Sequence, residues 1–114
     1  MANTFKVATK AGVTSSDIIY TVGGSTTTVV IGLLIGNTTG SQVTATVTLT
    51  SDTGSRTNDN DEVNQNVEIV TNAPIPAAST LSVLDGKIIM EATDNITVAA
   101  SGAVDVILSI MEIT

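Results

Sequence analysis

The side chains able to do acid–base chemistry in this sequence are carboxylates and a few lysines, because the chain contains no histidine and no cysteine. The commonest general base and the most reactive nucleophile are therefore missing. A pair of carboxylates could hydrolyse a glycosidic bond. The candidates for such a pair are Asp17, Asp85, Glu91, Asp94, Asp105 and Glu112. Most of them lie at strand ends or in turns, where aspartate is favoured for its turn geometry, so we expect no enzyme.

Oxygen-bearing side chains are concentrated between Asn58 and Glu62, within the acidic segment 51–65. Oxygen ligands suit Ca²⁺, but the segment lacks the glycine at position six and the glutamate at position twelve of an EF-hand loop. An exposed acidic loop is the favoured interpretation, and a weak divalent-cation site is the alternative. We therefore predict no catalytic, cofactor-binding or metal-ligating residue and no cofactor.

Composition restricts the partners of this chain. Its 114 residues suit one domain, and its net charge is −7. Nucleic acid would be repelled, because binding it needs Lys and Arg opposite the phosphates. The sequence also shows no basic amphipathic segment, no run long enough to span a bilayer and no signal peptide, so we expect no membrane partner and cytoplasmic synthesis.

With Phe5 and Tyr20 as the only aromatic residues, the core must be aliphatic, and oligomerisation would help to stabilise it.

Short β-branched runs separated by turn residues make up most of the chain. The strands predicted from them span 17–22, 26–36, 43–50, 66–71, 81–84, 87–91, 95–99 and 104–113. In the second strand, Ile31 and Leu33 are predicted on one face and Val30 and Leu34 on the other. No long window keeps a helical period. The pattern predicts an all-β fold: a single antiparallel β-sandwich domain resembling a jelly roll, with about eight strands and essentially no helix.

Two of these strands carry the strongest patterns. From 43 to 50, apolar residues alternate strictly with threonine, which predicts one face on the core and one in water. Residues 104–113 are almost continuously apolar, so this strand should be covered on both faces at the centre of the fold. Asp85-Gly86 predicts a two-residue hairpin turn. The segment 73–76 is predicted to be extended but not a central strand, because proline donates no ladder hydrogen bond.

The first sixteen residues are weakly patterned, although Phe5 and Val7 share a face. We predict an N-terminal arm over 1–16, with at most a short strand, followed by the β-sandwich domain over 17–114. The alternative is an arm that reaches a neighbouring subunit, because chain termini are poorly ordered unless they are tied down.

Asp105 interrupts the apolar terminal strand, on the same face as Ile107 and Met111. A buried carboxylate must be paired or hydrogen-bonded. The favoured interpretation places Asp105 at the exposed start of the strand. The alternative places it in a subunit interface, opposite a basic residue or a row of threonines.

Four stretches together resemble the small virion structural proteins of marine tailed bacteriophages, especially those of cyanobacteria. They are MANTFKVATK, TTTVVIGLLIGNTTGSQVTATVTLT, NAPIPAASTLSVLDGKIIMEATDNITV and GAVDVILSIMEIT. The resemblance covers nearly the whole chain and is most specific at NAPIPA, LDGK and LSIMEIT. The acidic loop 52–65 departs from the family, because it is longer than the family's usual turn.

The resemblance implies a non-enzymatic particle component, and we expect a capsid decoration (cement) protein on the virion's capsid surface. Its expected partners are the major capsid protein and further copies of itself, as a homotrimer at local three-fold positions of the head. The expected shell contacts are the N-terminal arm and the Pro74–Pro76 segment. The alternative is a tail or fibre component that binds a host-surface glycan, although a sugar site usually has an aromatic platform.

Overall fold

The computed structural model of this chain describes residues 2–51 and 65–114, which contain nine strands. The strands are β1 (Asn3–Val13), β2 (Ser16–Thr21), β3 (Thr27–Asn37), β4 (Val43–Ser51), β5 (Gln65–Ile75), β6 (Thr80–Ser82), β7 (Ile88–Met90), β8 (Asn95–Ala100) and β9 (Val104–Ile113). These ranges contain no helix, and so no helix able to span a membrane. The all-β prediction is confirmed. The acidic segment from 52 to 64, with the possible cation site at Asn58 to Glu62, lies outside the described residues.

The strands form two antiparallel sheets that pack face to face. Sheet A has five strands in the order β1-β9-β3-β6, with β7 also paired to β3, and sheet B has four in the order β2-β8-β4-β5. The pairing is nested, since the first strand pairs with the last, β2 with β8, β3 with the β6 and β7 segments, and β4 with β5. This is the arrangement of a jelly roll. The predicted single-domain sandwich is therefore confirmed.

The core between the sheets is aliphatic. In β4, Val43, Ala45 and Val47 are buried while the threonines between them are only partly covered, as the alternation predicted. The largest wholly buried side chains are Leu33, Ile35, Ile75, Met90, Ile96, Leu108 and Ile110. Burying such side chains is worth about 1.5–3 kcal/mol each, so the match between the two inner faces supplies most of the driving force for folding.

β9 lies at the centre of sheet A, between β1 and β3, as predicted. Its buried residues are Val104, Val106, Leu108 and Ile110. Asp105 and Ile107 are exposed. The prediction that both faces of this strand are covered is wrong for a single chain, because sheet B packs on one side of sheet A only.

A β-bulge in β3 decides which of its residues reach the core. The register with β9 shifts between Val30 and Gly32, so that Ile31 is an extra residue. Val30 and Leu33 are both buried, whereas Ile31 and Leu34 are exposed. The prediction that grouped Ile31 with Leu33 and Val30 with Leu34 is wrong, because the bulge reverses the side-chain alternation at this point.

β6 and β7 are two segments of one interrupted edge strand. β6 pairs with Leu34–Gly36 and β7 with Thr28–Val30, both antiparallel to β3. The two segments therefore run in the same direction, and the predicted hairpin at Asp85-Gly86 is wrong. The physical reason is that both segments must direct an apolar side chain, Leu81 and Ile88, into the same core from the same edge of β3.

The start of the chain, expected to be an arm with at most a short strand, forms the 11-residue strand β1 along the whole length of β9. It is thus the edge of sheet A. Its sequence signal is weak because the residues facing the buried side of β9 are small or charged, as with Lys6, Ala8 and Lys10. The apolar residues Phe5 and Val7 point away from the core and are exposed.

The neighbouring leucines of β3, Leu33 and Leu34, lie on opposite faces of sheet A, so they give a matched test of which β3 residues belong to the core. Leu33 is 1% exposed and Leu34 is 41% exposed. We expect Leu33→Ala to lower the free energy of unfolding by about 2–5 kcal/mol, because it leaves a cavity. Leu34→Ala should change it by about 0.5 kcal/mol or less in dilute solution. Urea titration of both variants measures this, and equal losses would contradict the bulged register of β3.

Candidate interaction surface

Sheet A has an outer side, facing away from sheet B, that is mostly apolar. Cross-strand register arranges its side chains in rows. The first row, from β1 to β7, is Phe5, Met111, Val29 and Ile89. The second row is Val7, Ser109 and Gly32, and the third is Thr9, Ile107, Leu34 and Ser82. We call the apolar members of these rows, with Ile31 and Ile113, the apolar face.

The side chains of the apolar face have little cover within the chain. Phe5 is 74% exposed, Val7 62% and Ile89 60%. Met111, Val29 and Ile113 are partly exposed beside them. Single exposed apolar residues are common on monomers, but a contiguous patch on one sheet face is typical of an interaction site. The apolar face is therefore the best candidate for a functional surface.

Asp105 lies at one end of the apolar face and is exposed near the start of β9, as the favoured interpretation predicted. The Gly12 amide donates a hydrogen bond to Asp105 Oδ1 at 3.0 Å. Gly12 lies at the register shift of β1 and has φ +68, a conformation that favours glycine. The carboxylate thus holds a bulge at the end of β1. Its contact with a partner subunit stays a prediction.

A titratable cluster joins the two sheets near the other end of β9. The Tyr20 hydroxyl donates to Glu112 Oε2, and because its proton is used there, it accepts from the Thr28 hydroxyl at 2.8 Å. Lys6 Nζ lies 2.8 Å from Glu112 Oε1. Burial, with the hydrogen bond to Glu112, raises the pKa of Tyr20 to about 12. Lys6, followed by Tyr20, lowers the pKa of Glu112.

These ionisation states suit structure better than catalysis. Near neutral pH the Tyr20 hydroxyl stays protonated and the Glu112 carboxylate stays ionised, so neither group is poised to exchange a proton with a substrate. The tyrosine connects β2 of sheet B to β9 of sheet A. We infer that the cluster fixes one end of the sandwich.

The other candidate carboxylates are not gathered into a metal-binding group in the part of the chain that the structure describes. Within 2–51 and 65–114, no group of three or more Asp or Glu residues could hold a metal ion. Asp94 is buried, and its Oδ2 accepts a hydrogen bond from the Glu91 amide at 2.9 Å. Aspartate side chains commonly accept such backbone hydrogen bonds in turns, and Asp94 lies between the strands predicted at 87–91 and 95–99.

The outer side of sheet B differs from the apolar face, because it is lined by the threonines of β4. A shallow groove there has a volume of about 260 Å³ and is bordered by Thr44, Thr46, Asn72, Ala99, Ala100 and Ser101. Two of its hydroxyl oxygens already accept hydrogen bonds, Thr46 Oγ1 from the Asn72 amide and Ser101 Oγ from the Thr44 amide, both at 2.9 Å. No aromatic side chain borders this groove. The groove therefore offers little to a sugar ring.

The two predicted shell contacts lie at different places on the sandwich. β1 begins beside Ile113 and reaches Val104 only at its end. The Pro74–Pro76 segment is near that second end, because Asn37, which pairs with Val104, contacts the Pro76 carbonyl through its side-chain amide. Pro74 itself lies in edge strand β5, as its missing amide requires.

The apolar face was missed as a unit by sequence analysis. Its signals were present, since Phe5 and Val7 share a face and residues 104–113 are apolar on both sides. Joining them required knowing that β1 pairs with β9 and β9 with β3, contacts between residues about a hundred and about seventy-five positions apart.

No protein-family model matches this chain, and no curated protein is similar to it in sequence. Among solved structures, it superposes on a chain of Bacillus endospore appendages, described as a novel family of disulfide-linked pili. The TM-score is 0.49 and the identity 13%, over 97% of this chain and 84% of that chain.

The raised pKa of Tyr20 predicts a loss of stability in alkali. Below pH 10 the tyrosine is neutral in both the folded and the unfolded chain, so the folded state loses nothing. Between about pH 10 and 12 only the unfolded chain releases the proton, and stability falls as pH rises. Because Tyr20 is the only tyrosine, tyrosinate absorbance reports its pKa directly. A midpoint near 10 in the folded protein would contradict the buried hydrogen bond.

The lowered pKa of Glu112 predicts the opposite trend in acid. The stabilisation is present above the ordinary pKa of 4.5 and is lost as pH falls through the lowered folded-state value. We expect Glu112→Gln to be less stable than the parent chain at neutral pH and to lose less stability below pH 4.5. Urea unfolding at several pH values measures this. Parallel pH profiles for the two proteins would exclude a role for the pair with Lys6.

Proposed function

We propose that this chain is a non-enzymatic structural protein of a phage particle, namely a capsid decoration (cement) protein that binds the major capsid protein on the head surface. The observation that carries the proposal is the apolar face. An uncovered apolar sheet surface on a β-sandwich is typical of a chain that works by contact with other protein chains, which include further copies of itself. The resemblance to small virion structural proteins of marine tailed phages indicates the kind of particle.

The composition and fold support such a role. The strands leave few long irregular segments among the described residues, which suits a rigid component. The net charge of −7 would keep a densely covered particle soluble through mutual repulsion. The jelly roll is also an architecture found in viral capsid domains, although a fold by itself does not determine function.

The placement of the expected shell contacts supports a bridging role. The predicted N-terminal arm begins toward the end of the sandwich opposite the Pro74–Pro76 segment and runs to the end beside that segment, and the longest dimension of the molecule is 47 Å. One copy could therefore contact two neighbouring shell subunits at once. Tying neighbours together in this way is what a cement protein does.

The copy number of the protein in purified virions tests the proposal. On the head lattice we expect parity with the major capsid protein or a simple fraction of it, such as about one-third, because lattice symmetry sets the ratio. Quantitative protein staining measures the ratio. A ratio of a few hundredths or less would place the chain on the tail or neck, and the glycan-binding alternative would replace decoration.

Shell stability gives a second test. Heads lacking the protein should come apart at a lower temperature than decorated heads, and adding the purified chain back should restore the difference, because ligand binding stabilises the bound state. Calorimetry of the heads measures this. A chain that is abundant on heads but leaves their disruption temperature unchanged would contradict the cement role.

A further inference from the structure

We propose that the apolar face is a self-association surface, covered by the same face of a second copy of this chain. The inference concerns the isolated protein and holds whether or not the chain decorates a capsid. It also differs from the homotrimer expected from the sequence, because an isologous face-to-face contact closes with two copies.

Charge favours a second copy as the occupant. The chain carries a net charge of −7, so two copies repel each other unless they meet where charge is absent. Among the residues of β1, β9 and β3 on the outer side of sheet A, only Asp105 is charged, and it lies in the last row, beyond Ile107. On these three strands a charged partner would find only Asp105 to bind, whereas two neutral faces can meet without burying an unpaired charge.

The size of the face is sufficient for a stable dimer only if all of it is buried. Four strand positions about 4.8 Å apart, and the seven residues from Ile107 to Ile113 rising about 3.3 Å each, give a sheet face of about 20 Å by about 23 Å, or about 450 Å² in projection. Side chains roughen this surface and increase its true area. A stable interface buries about 800 Å² on each partner, so the whole face would be used.

The rows are arranged so that the face can complement itself. The first row is bulky, with Phe5, Met111 and Val29, whereas the second row contains Ser109 and Gly32. Consider a two-fold axis that lies parallel to the sheets, perpendicular to the strands and midway between these two rows. It places the first row of each copy over the second row of the other. The large side chains of the first row in each copy then pack against the small residues of the second row in the other copy, as close packing of two sheets requires. The row containing Asp105 stays outside the contact, in water.

The mass of the purified protein in solution tests the proposal, with a matched pair of variants. Light scattering during size-exclusion chromatography should give twice the 11.6 kDa mass of one chain. Val7 is 62% exposed in the apolar face, and Val67 is 53% exposed in edge strand β5 of sheet B. Val7→Lys should raise the dimer dissociation constant at least about tenfold, because it buries an unpaired ammonium. Val67→Lys should leave it unchanged.

Both substitutions make the net charge less negative, so a loss of association cannot come from added repulsion. Circular dichroism and urea midpoints would show that both variants fold, as expected for exposed sites. A monomeric parent chain would overturn the proposal. So would a trimer, or a dimer that survives Val7→Lys.

A complementary pair tests the alignment of the rows. Ser109→Lys and Met111→Glu should each dissociate the dimer, because each places a charge in the contact. In an equal mixture, position 109 of one copy faces position 111 of the other, so the opposite charges pair and heterodimers should form. Mass measurement of the mixture at matched concentration detects them. A mixture that stays monomeric would overturn the proposed two-fold alignment.

Discussion

The constraint on which this structure depends is the burial of one side of β9 against sheet B. Val104, Val106, Leu108 and Ile110 are the buried residues of the strand that holds β1 and β3 together. With almost no aromatic side chains available, the core gains its stability from many small aliphatic contacts at close packing. The same alternation that directs these residues inward directs the remaining apolar residues of β9 outward, so the apolar face follows from the core.

The sequence was sufficient to predict the all-β class and eight of the strands, because alternation of apolar and polar residues is a local property. It was insufficient where a non-local contact decides the outcome. Apart from Ala8 and the buried Val13 at its end, β1 has no apolar residue on its inward side, and it is held by its pairing with β9. The bulge at Ile31 reverses the alternation of β3, and the interrupted edge strand replaces a hairpin at Asp85-Gly86. In each case the partner strand, distant in sequence, determines the local conformation.

The apolar face was likewise predictable from the sequence only where its signal is local. The apolar content of residues 104–113 was visible in the sequence, and it led to the expectation of cover on both faces. Within one chain that cover is missing on the outer side, so the apolar pattern of this strand exceeds what the core of a single domain requires. Asp105 was recognised as unusual, but its partner, the Gly12 amide, could not be identified without the pairing of β1 with β9.

The nested pairing of the strands has a consequence for folding during synthesis. Every connection among the described strands except that from β4 to β5 crosses between sheets or continues one edge, and β9, the last of these strands along the chain, must insert between β1 and β3. Sheet A therefore cannot close until β9 has left the ribosome, and until then β1 and β3 expose unpaired edges. Such non-local topologies fold slowly, and the waiting strands are open to pairing with other chains. The inward-facing Lys6 and Lys10 on β1 discourage this mispairing, because charged residues on an edge strand oppose edge-to-edge association.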